Sequence, residues 1–148
     1  MRVAVGSDAC TSLTEAVLAD LRRRGHEVMT FGALAAAEPQ WPDVARNVAD
    51  AVARGRCEQG ILFCWTGTGV SIAANKVPGI RAALCADAAT AAGARRWNDA
   101  NVLCLSLRNT SEAVAKEVLD AWFSTAPDPS EAENIRKVSD MERLYAAR

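Results

Sequence analysis

The sequence predicts an α/β protein built on a five-stranded, mainly parallel sheet with helices on both faces. Three observations carry this. Short apolar runs rich in Val, Ile, Leu and Ala alternate with longer stretches of helical periodicity, five times over. Several of those runs are apolar at every residue, as strands covered on both faces are. At 148 residues with 50% hydrophobic content, the chain can bury a core yet fits one domain, so 1–148 is expected to fold as one unit.

The elements follow in order. Strands are expected over about Arg2–Val5, Glu27–Phe31, Gly60–Cys64, Arg81–Cys85 and Val102–Ser106. An amphipathic helix Ser12–Arg24 is closed by Gly25, and a second begins near Pro42, since proline suits a first helical turn. A third starts just after Gly69, and a fourth covers about Ala86–Arg96. A fifth runs from Ser111, an N-cap with Glu112 in the first turn, to about Ser124. The Ala33–Ala37 cluster reads as a loop or frayed turn. After Thr125-Ala126-Pro127-Asp128-Pro129, Ser130 and Glu133 have the spacing of a capping box that opens a last polar helix to Arg148. That helix carries few apolar anchors, so 128–148 is expected to pack on a partner subunit.

Composition narrows the function. Seventeen basic against 18 acidic residues give a net charge of −1, and no basic stripe alternates with aromatics, so nucleic acid is not an expected partner. No apolar run approaches the roughly 20 residues of a membrane span. The amino terminus runs straight into a strand rather than a signal peptide. A cytoplasmic protein with a small-molecule ligand is the expectation.

Cys10, Cys57, Cys64, Cys85 and Cys104 are odd in number and form no CxxC pair, against both a disulfide framework and a zinc site. Cys10, Cys57, Cys85 and Cys104 read as structural thiols. Cys64 differs because it ends an expected strand and precedes the turn Trp65-Thr66-Gly67-Thr68-Gly69 and a helix. In open parallel sheets ligands settle at the carboxyl ends of strands. A turn with Gly67 and Gly69 lets backbone amides approach an anion at a helix N-terminus. A thiol beside such a terminus has its thiolate stabilised and can serve as a base. Taken alone, however, G-x-G is a weak signal and Cys64 also reads as a buried structural thiol.

The longer run decides between them. Cys64-x-Thr66-Gly67-x-Gly69-x-Ser71-Ile72-Ala73-Ala74-Asn75-Lys76-Val77, followed by Gly79-Ile80-Arg81-Ala82, closely resembles the ribose-5-phosphate isomerase B family, also called the LacAB family. The likeness continues through Asn98-Asp99-Ala100-Asn101-Val102-Leu103 and includes Gly6-Ser7-Asp8 and Trp41-Pro42-Asp43, covering about residues 1–125 in order.

The resemblance implies a Rossmann-like three-layer α/β/α sandwich with a five-stranded, mainly parallel sheet and a C-terminal helix. It implies a homodimer, or a dimer of dimers, with active sites at the subunit interface. The implied reaction is aldose–ketose isomerisation of a sugar or sugar phosphate through an enediolate, with no metal and no organic cofactor. Cys64 matches the residue that abstracts the proton beside the carbonyl, and Thr66 the hydroxyl that assists proton movement on the oxygens. Backbone amides over Thr66, Gly67, Thr68, Gly69, Val70 and Ser71 match the enediolate cradle. Asp8 matches a ligand of a substrate hydroxyl, Asn98 a contact to substrate oxygens, and Arg108 a phosphate-binding arginine.

The departures bear on the substrate. Ala9 and Trp97 stand where the family usually has histidine, and Trp65 stands where it has glycine. The family's phosphate-gripping Arg-His-x-x-Arg aligns with Glu133-Asn134-Ile135-Arg136-Lys137, where Lys137 keeps the charge. The histidine replaced by Trp97 normally opens a cyclic sugar by acid–base transfer. Its loss points to a short or already open-chain substrate, such as a tetrose phosphate, rather than ribose 5-phosphate. Trp65 and Trp97 would offer faces to sugar C–H bonds. The alternative readings are a catalytically degenerate subunit or a sugar-phosphate-binding sensor of the same fold. Trp41 and Trp122 read as packing residues, and His26 as a solvated loop residue.

Overall fold

A computed structural model describes residues 1–146. Strand β1 (Arg2–Ser7) is followed by helix α1 (Ser12–Arg23), strand β2 (Glu27–Gly32), a 3-10 turn (Ala33–Ala35) and helix α2 (Trp41–Ala53). Strand β3 (Gln59–Cys64) leads into the short helix α3 (Thr68–Ala74), then strand β4 (Ala82–Leu84), helix α4 (Ala88–Asn98), strand β5 (Val102–Ser106) and helix α5 (Glu112–Ser124). A second 3-10 turn (Pro129–Glu131) opens helix α6 (Ala132–Ala146).

The five strands pair in parallel in the order β2-β1-β3-β5-β4. Alternate residues of the central strands divide between two cores, as the period of two requires. Val3, Val5, Ile61, Phe63, Leu103 and Leu105 pack on α1, α4 and α5. Ala4, Leu62, Cys64 and Cys104 pack on α2 and α3. Both faces are therefore dry, which is why the strands read as apolar runs without alternation. The three layers and the parallel sheet are those expected of the Rossmann-like sandwich.

Several boundaries differ from expectation, each for a local reason. β4 is three residues long, not five. The Arg81 amide donates to the Asn101 side-chain oxygen at 2.8 Å, and the Asn75 side chain exchanges both hydrogen bonds with Ala82 along the outer edge. That side chain caps an edge that would otherwise invite another strand. The expected capping box at Ser130 is replaced by Asp128, whose carboxylate accepts from the Ser130 amide at 2.9 Å. The proline at 129 fits the first position of that turn. α4 starts two residues late because Asp87, not Ala86, caps it by accepting from the Thr90 amide at 2.7 Å. α3 starts at Thr68, one turn position before Gly69. The expected end of the last helix at Arg148 lies outside the described residues.

Trp122 is fully buried as expected, its indole donating to Gln59 Oε1 at 2.8 Å. His26 is not simply solvated: its ring stacks on Phe123 with centroids 4.4 Å apart. No helix among the described residues is long and apolar enough to cross a membrane.

Candidate active site

β1 and β3 are neighbours, with Ser7 opposite Phe63 in their register. The chain winds from β1 outward to β2 and then returns to place β3 on the other side of β1. A crevice therefore opens beyond the carboxyl ends of these two strands, where doubly wound sheets hold their ligands. A cleft of about 260 Å³ lies there, lined by Asp8, Trp41, Cys64, Trp65, Thr66, Thr68 and Gly69.

Cys64 forms the floor, only 5% exposed. The next residues turn sharply because Gly67 adopts φ +75 and becomes the N-cap of α3. A Cβ at Gly67 would also lie 2.6 Å from Leu84 Cδ1 and 3.0 Å from the Leu105 carbonyl carbon. Both conformation and space thus demand glycine here. The loop is braced from β5: Leu107 and Arg108 amides donate to the Cys64 and Trp65 carbonyls at 3.0 Å, and Ser106 Oγ donates to the Trp65 carbonyl at 3.0 Å. The Thr66 and Thr68 hydroxyls face each other at 2.7 Å, and both are exposed.

Asp8 follows β1 and is half-buried; burial pushes its carboxyl above the usual range, with its own backbone amide partly offsetting this. It does not cap α1, because Thr11 does so in a reciprocal pair with Thr14. Trp65 is 63% exposed at the cleft mouth, with the Arg108 guanidinium 6.0 Å from its ring centre. That distance is at the limit of a cation–π contact.

Two of the expected cradle residues turn elsewhere. Val70 is fully buried in the core with α2, so only its backbone can serve the cleft. The Ser71 amide donates to the Gly67 carbonyl at 3.3 Å, so it is not free for the cleft. The amides of Thr68, Gly69 and Val70 belong to the first turn of α3, which has no intrahelical acceptors for them. Burial raises the neighbouring thiols, Cys85 up to about 11 and Cys104 further still, which fits their reading as structural. Cys57 is likewise buried, whereas Cys10 is exposed, its thiol donating to the Ala33 carbonyl at 3.3 Å.

Trp97, Asn98 and Lys137 lie apart from Cys64. Trp97 and Asn98 end α4 and line a second, larger groove of about 680 Å³ with Ile80, Ile135, Val138 and Met141. That groove shares none of the residues that line the cleft around Cys64. Lys137 lies on α6, within 3.7 Å of Glu133, and lines neither hollow.

Trp41 packs as expected, and it also lines the cleft, which was not expected. It is 41% exposed and lays its ring on Gly69, where an added Cβ would meet it at 3.0 Å. The signal was available: an aromatic at the first position of a helix that follows a parallel strand must stand at the carboxyl edge of the sheet.

The family model described as Ribose/Galactose Isomerase matches residues 3–141. The ribose-5-phosphate isomerase B of Escherichia coli K12 is 43% identical over 111 residues, covering 75% of this chain and 74% of that protein. The D-erythrulose-4-phosphate isomerase of Pectobacterium atrosepticum is 40% identical over 125 residues, covering 83% of this chain and 82% of that protein. The type B ribose 5-phosphate isomerase structure from Trypanosoma cruzi superposes with a TM-score of 0.90 at 36% identity, covering 98% of this chain and all of that one.

Proposed function

The chain belongs to the ribose/galactose isomerase family, and from that premise we propose that it is an aldose–ketose isomerase of short, open-chain sugar phosphates, an intramolecular oxidoreductase with Cys64 as its base. The observation that carries this is the convergence of Asp8, Cys64, Thr66 and Thr68 in one cleft at the crossing point of the sheet. Cys64 removes the proton from the carbon beside the carbonyl and returns it to the neighbouring carbon. Thr66 serves the oxygens, the first amides of α3 hold the developing negative charge, and Asp8 holds a substrate hydroxyl. Arg108, standing over Trp65, is the phosphate ligand.

The small volume and the two indoles at the cleft, Trp41 and Trp65, support a short carbon chain. So does Trp97 in place of a ring-opening acid, and a relative at 40% identity is named for a tetrulose phosphate. The active unit is a homodimer. Trp97 and Asn98 are exposed and remote from Cys64 within one chain, and beside them run the exposed Val138, Met141 and Leu144. A second copy covering that apolar stripe would bring Asn98 to the cleft of its neighbour.

The test is a panel of tetroses, pentoses and hexoses, with and without phosphate, assayed in deuterated water against wild type and Cys64→Ala. Cys64-dependent incorporation of deuterium, fastest with tetrose phosphates, is the expected result. If no compound shows it, the isomerase assignment falls. Faster turnover of ribose 5-phosphate than of any tetrose phosphate would remove the short-substrate reading alone.

A further inference from the structure

The isomerisation moves two protons, and Cys64 accounts for one. As C2 is oxidised from carbinol to carbonyl and C1 is reduced from carbonyl to carbinol, a proton must also leave O2 and reach O1. A lone hydroxyl that gives its proton to one oxygen has to recover it from the other within a single encounter.

Resting on the isomerase reading above, we propose that Thr68 is a second catalytic hydroxyl, forming with Thr66 a two-member relay that carries the proton from one substrate oxygen to the other. Their Oγ1 atoms lie 2.7 Å apart, an ordinary O–H···O distance, and either can be the donor. Both residues line the cleft that Cys64 floors. The backbone between them is Gly67 at φ +75, pinned against Leu105 by lack of room for any side chain, so the pair is held rather than met by chance. The two oxygens of a cis-enediolate are themselves about one hydrogen bond apart, the spacing this pair offers. In the step, Thr66 donates to O1 while accepting from Thr68, and Thr68 accepts from O2. The reverse reaction runs the same chain backwards, with no net change in the protein and no outside oxidant or reductant.

The proposal separates two signals that a purely structural Thr68 would move together. Carbon-bound deuterium enters substrate whenever Cys64 removes and returns a proton, whereas product requires the oxygen transfer as well. With the substrate that wild type turns over, Thr68→Val is expected to keep deuterium wash-in within about threefold while net isomerisation falls about a hundredfold. Thr68→Ser, which restores the hydroxyl, should recover most of that loss. Equal losses of wash-in and turnover in Thr68→Val, or no loss in either, overturn the relay. Absence of Cys64-dependent wash-in by wild type instead overturns the isomerase reading beneath it.

Discussion

The two hollows of this molecule differ in how far the chain itself completes them. The cleft at β1 and β3 has a buried floor in Cys64, a loop fixed by Gly67 and tied to the β5 turn by three hydrogen bonds, and a wall in Trp41 seated on Gly69. The groove between α4, β4 and α6 is more than twice as large, about 680 against 260 Å³. It is walled by side chains that remain half-exposed, including Trp97, Val138 and Met141. On α6, Glu142 accepts from the Gly79 amide at 3.0 Å. The proton transfer proposed for the cleft needs atoms fixed in place, and the chain supplies that constraint from its own backbone. The second copy proposed to cover the groove would make such internal bracing unnecessary there.

The strongest way to break this contrast is at Gly67. Alanine there meets both a positive φ and a backbone atom at 3.0 Å, and the combined cost is about 3 kcal/mol, with turnover lost as well. The urea midpoint of Gly67→Ala measures it; a midpoint equal to wild type would mean the loop is not constrained as described. At the groove, by contrast, Met141→Lys places a charge on a residue 59% exposed. Chain stability should change by less than about 0.5 kcal/mol. The homodimer proposed above should nevertheless dissociate, read by analytical ultracentrifugation, because burying an unpaired lysine between copies is costly. A dimer unaffected by Met141→Lys would place the interface elsewhere.

The same division explains what the sequence could disclose. The central strands β1, β3 and β5 are dry on both faces and show no alternation, so apolar runs located them, and Gly25 and Ser111 marked helix ends through simple local chemistry. The expected β4 is longer than the observed strand because side chains from outside it, Asn75 and Asn101, compete for the backbone at its start. Ser71 belongs to the motif, yet its amide is taken by the Gly67 carbonyl inside the helix. Trp41 looked like packing because an indole's role depends on what it faces, here a glycine 28 residues on whose missing side chain leaves it room. The motif identified the floor of the cleft; its wall came from tertiary placement.

Asp8 tests whether the cleft holds a group at the expense of stability. Burial raises its carboxyl above the usual value, so the native state binds more protons than the unfolded chain just above that value. Stability therefore falls as pH rises through this window, and at neutral pH the ionised group is a net cost. Asp8→Asn should raise the melting temperature at about pH 7 relative to wild type, an advantage that shrinks towards about pH 4. Its KM should increase roughly tenfold or more if the carboxylate holds a substrate hydroxyl. A variant less stable at neutral pH would show that Asp8 serves the fold.

The smallest effect lies at the opposite edge of the sheet, where β2 begins. His26 rests on Phe123, with the Met1 amine 3.3 Å from Nδ1 and Arg24 nearby. Burial first, then the positive amino terminus and Arg24, lower its pKa below the ordinary 6.5. The unfolded chain consequently binds the proton before the native state does, and stability is lost as pH falls below about 6.5. His26→Gln removes the titrating group, so the drop in urea midpoint between about pH 7.5 and about pH 5.5 should become shallower. Turnover at about pH 7.5 should be unchanged, because the residue sits at the amino ends of the strands and the chemistry at their carboxyl ends. If His26→Gln instead slows turnover while leaving the pH dependence of stability intact, the separation between the two edges does not hold.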